Sequence, residues 1–106
     1  MRNEIIYPSV EVMNVHLDPY NDMHAEDYDF FVTFSTKGNV RKQVVHKKDM
    51  TRMDADNYQA LCDTSKIGRG QFEAVATCFI PDERMENLVR PTCVDLMENM
   101  DPITIV

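Results

Sequence analysis

Residues 63–82 read Asp-Thr-Ser-Lys-Ile-Gly-Arg-Gly-Gln-Phe-Glu-Ala-Val-Ala-Thr-Cys-Phe-Ile-Pro-Asp. The stretch opens as a polar turn, crosses Gly68 and Gly70, and becomes the longest regular alternation in the chain. Phe72, Ala74, Ala76, Cys78 and Ile80 share one face, and Gln71, Glu73, Val75, Thr77 and Phe79 share the other. Period two is the signature of a strand, because successive side chains point to opposite faces. Both faces are partly apolar, which suits a central strand. Pro81 ends it, since proline has no N–H for a ladder. A Gly-x-Gly pair also occurs in phosphate loops, but those need Gly-Lys-Ser/Thr opening a helix, or a longer dinucleotide fingerprint. These glycines precede a strand, so they read as turn or bulge geometry.

A second strong alternation runs from Tyr28 to Ser35. Tyr28, Phe30, Val32 and Phe34 fall on one face, enough to anchor a core at about 1.5–3 kcal/mol each. An aromatic stripe can instead be a stacking platform for nucleic-acid bases. The acidic surroundings favour core packing. The small Ala74 and Ala76 are expected to leave room for these aromatics. Thr36-Lys37-Gly38-Asn39 turns the chain, since Gly and Asn tolerate positive φ. Val40–Val45 then returns as a partner strand, with Val40 and Val44 expected inward and Arg41 and Gln43 outward.

Working outward, Val10–Leu17 is a β-branched strand whose parity the pattern leaves open, and Asn57–Cys62 is another. Residues 49–56 read as a loop or as a short helix capped by Thr51. Asp82–Val89 reads as a charged helical turn. Residues 92–96 alternate as a strand, while Val94, Met97 and Met100 are spaced for a helix. Ile103–Val106 is a terminal strand, and residues 1–9 read as an extended arm. Short strands at this spacing, separated by turn residues, predict an all-β antiparallel sandwich in one domain, 1–106. The alternative is α+β, with helices near 50–60 and 93–100.

A chain of 106 residues fits one domain and can fold without covalent staples. No run of 18 apolar residues marks a membrane helix, and the start lacks the apolar core of a signal peptide. The net charge of −7, from 18 acidic and 11 basic residues, disfavours nucleic acid as a partner. Acids cluster at 18–29 and 82–101, while much of the basic charge sits at 37–52, read as a solvated hairpin edge. Three widely spaced cysteines, Cys62, Cys78 and Cys93, do not make a disulfide framework and read as reduced thiols. Eight methionines suit adaptable contacts with other chains.

Chemistry is sparse. No cysteine or serine sits in a nucleophile motif such as Gly-x-Ser-x-Gly, so no enzyme and no catalytic residue is expected. Asp18, Asn21, Asp22, Glu26 and Asp27 could offer hard oxygen ligands, with His16 and His24 at the flanks. Their spacing fits neither a calcium loop nor a zinc site, so no metal and no cofactor is expected.

Residues 28–106 resemble a group of small proteins encoded by phages and prophages of Bacteroidales gut bacteria. The resemblance is carried by the short strand from Tyr58, then Asp-Thr-Ser-Lys-Ile-Gly-Arg-Gly at 63–70. It continues with the alternating strand ending Phe-Ile-Pro-Asp at 79–82, Arg90, and the terminal apolar strand. The hairpin around Lys37-Gly38-Asn39 fits the same layout. Ile67 and Phe72 stand where leucines are usual, and the acidic, Met-rich insert at 82–101 is longer and less strand-like.

These proteins resemble the immunoglobulin-like N-terminal domains of baseplate upper proteins and head- or tail-fibre bases. The resemblance implies an immunoglobulin-like sandwich of about seven strands. It also implies a virion structural protein, made in the bacterial cytoplasm, that self-associates and docks other capsid, fibre or baseplate proteins. On that reading residues 1–9 and 103–106 would be arms for pairing with neighbours. The expected contact residues are Ile5, Ile6, Tyr7, Met85, Leu88, Met97 and Met100. The alternatives are a host carbohydrate- or ligand-binding sandwich, for which the chain has no Trp and four Tyr, and a metal protein using the 16–29 loop.

Overall fold

A computed structural model describes residues 4–18, 24–79, 92–93 and 102–106. Its strands are β1 (Glu4–Ile5), β2 (Val10–Asp18), β3 (Asp29–Thr36), β4 (Lys42–His46), β5 (Thr51–Arg52), β6 (Asn57–Asp63), β7 (Gly70–Phe79), β8 (Thr92–Cys93) and β9 (Thr104–Ile105). They form two sheets, in the orders β1-β9-β7-β3-β4 and β5-β6-β2-β8. All neighbours are antiparallel except β1 and β9. The order is that of an immunoglobulin sandwich of the variable type: β2 to β7 and β9 occupy the places of strands B, C, C′, D, E, F and G. Among the described residues there are nine strands, four of them two-residue pieces, in line with a sandwich of about seven.

Among the described residues the only helical elements are three-residue 3-10 turns, at Ala25–Asp27, Lys47–Asp49 and Thr64–Lys66. The α+β alternative therefore fails over 50–60. That segment is the bend at Met50, strand β5, a polar turn and the start of β6, and Thr51 caps no helix. The candidate turn at 82–89 and the rival helix at 93–100 lie outside the described residues, apart from Cys93, which is in β8.

The core lies between the sheets. Met13, Val15 and Leu17 from β2 and Tyr58, Ala60 and Cys62 from β6 face Phe30, Val32 and Phe34 from β3, with Val45, Phe72 and Ile105 beside them. The alternation of β3 is obeyed throughout: Phe30, Val32, Phe34 and Thr36 are buried, and the preceding Tyr28 is buried with them. The edge of Tyr58 meets Phe30 across the core, with centroids 5.2 Å apart and planes at 82°, the arrangement that aromatic quadrupoles favour. Phe34 stacks on Phe72 at 5.6 Å.

β7 is central, flanked by β9 and β3. Ala74 and Ala76 do make room for the aromatics, but sideways: each lies directly opposite Phe34 or Val32 within the same sheet, not across the core. A wide residue beside a narrow one levels the inner surface of the sheet.

The expected parity of β4 is corrected. Val45 is buried, whereas Val44 is 48% exposed and Val40, ahead of the strand, is 93% exposed. The reason is register. Val45 stands opposite Val32 and Gln43 opposite Phe34, and directly opposed residues share a face. The inward β3 residues therefore pull Gln43 and Val45 inward with them.

The 63–70 segment forms the corner between β6 and β7. Asp63 caps the 3-10 turn, its carboxylate accepting from the Ser65 amide at 3.1 Å and the Ser65 hydroxyl at 2.6 Å. Thr64 is buried and exchanges hydrogen bonds with Ser9 ahead of β2. Ile67 is fully buried, and its carbonyl accepts from the Thr36 hydroxyl at 3.2 Å. Gly68 follows at φ +94°, where its missing Cβ leaves space for the Asn39 side chain. The glycines thus serve turn geometry, as their position before a strand suggests.

Candidate interaction surface

Residues 4–9 lie along their own domain. Glu4 and Ile5 pair in parallel with Thr104 and Ile105. The Tyr7 amide donates to the Val106 carbonyl at 3.0 Å, and the Val106 amide donates to the Ile5 carbonyl at 2.8 Å. The two terminal segments expected to reach neighbours therefore pair with each other. Ile5 is half-buried against the core, Tyr7 is half-buried with the Arg69 guanidinium 4.5 Å from its ring centroid, and Ile6 is exposed. Of the seven expected contact residues, Ile6 alone is described as presenting a largely free side chain. Met85, Leu88, Met97 and Met100 lie outside the described residues.

The outer faces of the sheets carry apolar residues that the sequence reading did not single out as contacts. On the smaller sheet, Val10 is 62%, Val12 56% and Leu61 58% exposed. Val12 and Leu61 are directly opposed, so they make one continuous patch with Val10 at its end. They point outward because Met13, Val15 and Leu17 on β2, and Tyr58, Ala60 and Cys62 on β6, have taken the inner face. The inward parity of β6 was available from Tyr58 and Ala60. On the larger sheet, Val44 and Val75 (61% exposed) flank Thr33.

The outermost strands β1, β5 and β4 are blunted. β1 and β5 have two residues each, and β4 carries Lys42 with Arg41, Lys47 and Lys48 at its ends. Short or lysine-bearing edges resist the addition of a foreign strand.

The described flanks of the acidic loop bond to neighbouring residues, while Asn21, Asp22 and the side chain of Asp18 lie outside the described residues. His16 Nδ1 lies 2.8 Å from Asn57 Oδ1, and His24 Nδ1 lies 3.3 Å from the Asp56 carboxylate. Asp56 also accepts from the Ala25 amide, and Glu26 pairs with Arg52 at 2.8 Å. Asp54 is held below the usual carboxylate range by the Asp56 amide and then by the Asn57 side chain. Among the described residues no three His, Cys, Asp or Glu groups converge to hold a metal ion. Cys62 is fully buried, and burial, with Asp63 and Glu11 adding, pushes its thiol up to about 11. At neutral pH it is a thiol packed as a small apolar residue, without thiolate character.

None of the three comparisons with known proteins gives a match: no family model, no curated protein and no solved structure. Among the described residues, no helix is long and apolar enough to cross a membrane.

Proposed function

We propose that the chain is a non-enzymatic structural protein of a phage particle. In this reading it is an adaptor on the capsid or tail that self-associates and docks other virion proteins. The observation that carries the docking part is the apolar patch of Val10, Val12 and Leu61 on the outer face of a sandwich whose interior is already filled. Contiguous apolar surface outside a packed core costs solubility, and it is what protein–protein contact uses. The particle setting is supported by the resemblance of the sequence at 63–82 to virion sandwiches.

Mass spectrometry of purified particles, from a phage or prophage whose genome encodes the chain, tests the reading. Recovery of the chain in many copies per particle is the expected result. Its absence from intact particles, with the free protein abundant in the lysate, would overturn it.

A further inference from the structure

The outward side chains of β3, β4 and β7 form three rows across the larger sheet. Register places Glu73, Ser35 and Lys42 in the first, Val75, Thr33 and Val44 in the second, and Thr77, Phe31 and His46 in the third. The middle row is apolar at both ends. The first row carries an acid at one end and a base at the other. With the imidazole neutral the nine residues sum to no net charge, on a chain whose net charge is −7. The face is thus a place where two copies can approach without bringing like charges together.

The geometry points to a two-fold dimer formed face to face through this surface. Place the axis in the interface, parallel to β3 and over Thr33. Rotation about it keeps each residue's level along the strand and exchanges the β4 and β7 sides. Glu73 then meets Lys42 of the second copy, and Lys42 meets its Glu73. Val75 meets Val44, Thr33 meets Thr33 and Phe31 meets Phe31. An axis across the strands would carry Glu73 to the Thr77 level and lose both ion pairs. The charged row therefore selects the parallel axis, and the strands of the two sheets stay aligned, as packed sheets allow. A two-fold contact needs a patch complementary to itself, and this one is.

The surface is small. A stable interface takes about 20–30 residues a side, so the dimer is a weak one that assembly on a particle would reinforce through multivalency. The inference rests on the self-association part of the proposed function and adds to it the surface and its symmetry.

Sedimentation equilibrium of the full chain from about 5 μM to about 1 mM covers the range of weak association. Lys42→Glu and Glu73→Lys singly are expected to weaken dimerisation about tenfold or more, because each replaces two attractions by two repulsions. The double variant K42E/E73K is expected to restore it. All four residues of the two pairs are exposed, and far-UV circular dichroism checks the fold of each variant. A dimer unchanged by the single substitutions, or lost instead in Leu61→Glu on the opposite sheet, would overturn this interface while leaving self-association in place. A monomer throughout the range would overturn both, whatever the particle assay shows.

Discussion

Gln43 holds the two sheets together at one corner, and its removal has a calculable effect. Its side-chain amide reaches from β4 to the end of β6 in the opposite sheet. Nε2 donates to the Leu61 carbonyl at 3.3 Å, and Oε1 accepts from the Asp63 amide at 2.8 Å. Leu61 O and Asp63 N are the two groups that one residue of a parallel neighbouring strand would engage, through its own N–H and C=O. β5, the neighbour on that side of β6, pairs only as far as Gln59. The Gln43 amide therefore stands in for the missing strand residue. Each hydrogen bond contributes roughly 0.5–1.5 kcal/mol net. The 2.8 Å bond belongs near the upper end and the 3.3 Å bond near the lower, so Gln43→Ala should cost about 2 kcal/mol. For a domain of this size that is a fall in Tm of about 8 °C.

Gln43→Glu keeps an acceptor for the Asp63 amide, but it sets a carboxylate against the Leu61 carbonyl and near Asp63. It should be no less damaging at pH 7 and should recover as the pH falls and the new carboxyl protonates. Urea denaturation gives the free energies, and amide hydrogen exchange followed by NMR reports on Asp63 directly. The Asp63 amide should exchange markedly faster in Gln43→Ala than in the parent. A loss below about 0.5 kcal/mol, the range of ordinary surface substitutions, together with unchanged Asp63 protection, would refute the strand-mimic account.

Two further predictions concern Cys62 and the glycines. Because the folded pKa of Cys62 is raised to about 11, its contribution is intact below the unfolded thiol range near pH 8.5 and is lost as pH rises through 11. Burial raises Tyr58 in the same direction. Urea midpoints from pH 8 to 11 should fall less steeply in Cys62→Ala than in the parent, and Cys62 should resist alkylation at pH 8 until urea unfolds the protein. Equal slopes and rapid native-state labelling of Cys62 would contradict this. Gly68→Ala and Gly38→Ala both force alanine to positive φ, but only Gly68 has a neighbour, Asn39, in the way of the new Cβ. Each should lose about 1–3 kcal/mol, with Gly68→Ala the larger loss by thermal denaturation; the reverse order would contradict the packing of the corner against the β3–β4 turn.

Much of the fold was legible because alternation reports which face a residue occupies. Tyr28, Phe30, Val32 and Phe34 declared their burial in the order of the chain, as did Phe72 before the alanines of β7. The turn residues Gly38, Gly68 and Gly70 declared where positive φ was needed. Alternation is silent on which strand lies beside which. For β4 the apolar Val40 and Val44 pointed to the wrong face, and the register with Val32 and Phe34 decided otherwise. The apolar outer faces were hidden for the same cause: Val10, Val12 and Leu61 look like core until Met13, Val15 and Cys62 are seen to fill it.

Strand content, the corner at 63–70 and the identity of the aromatic core follow from the order of residues alone, because they depend on local periodicity and on backbone freedom at single residues. The tertiary structure decided strand order, the pairing of the two termini, the bridging role of Gln43 and the rows on the outer face of β3, β4 and β7. Those depend on contacts between residues far apart in the chain, where one residue's shift in register turns an interior face into an exterior one.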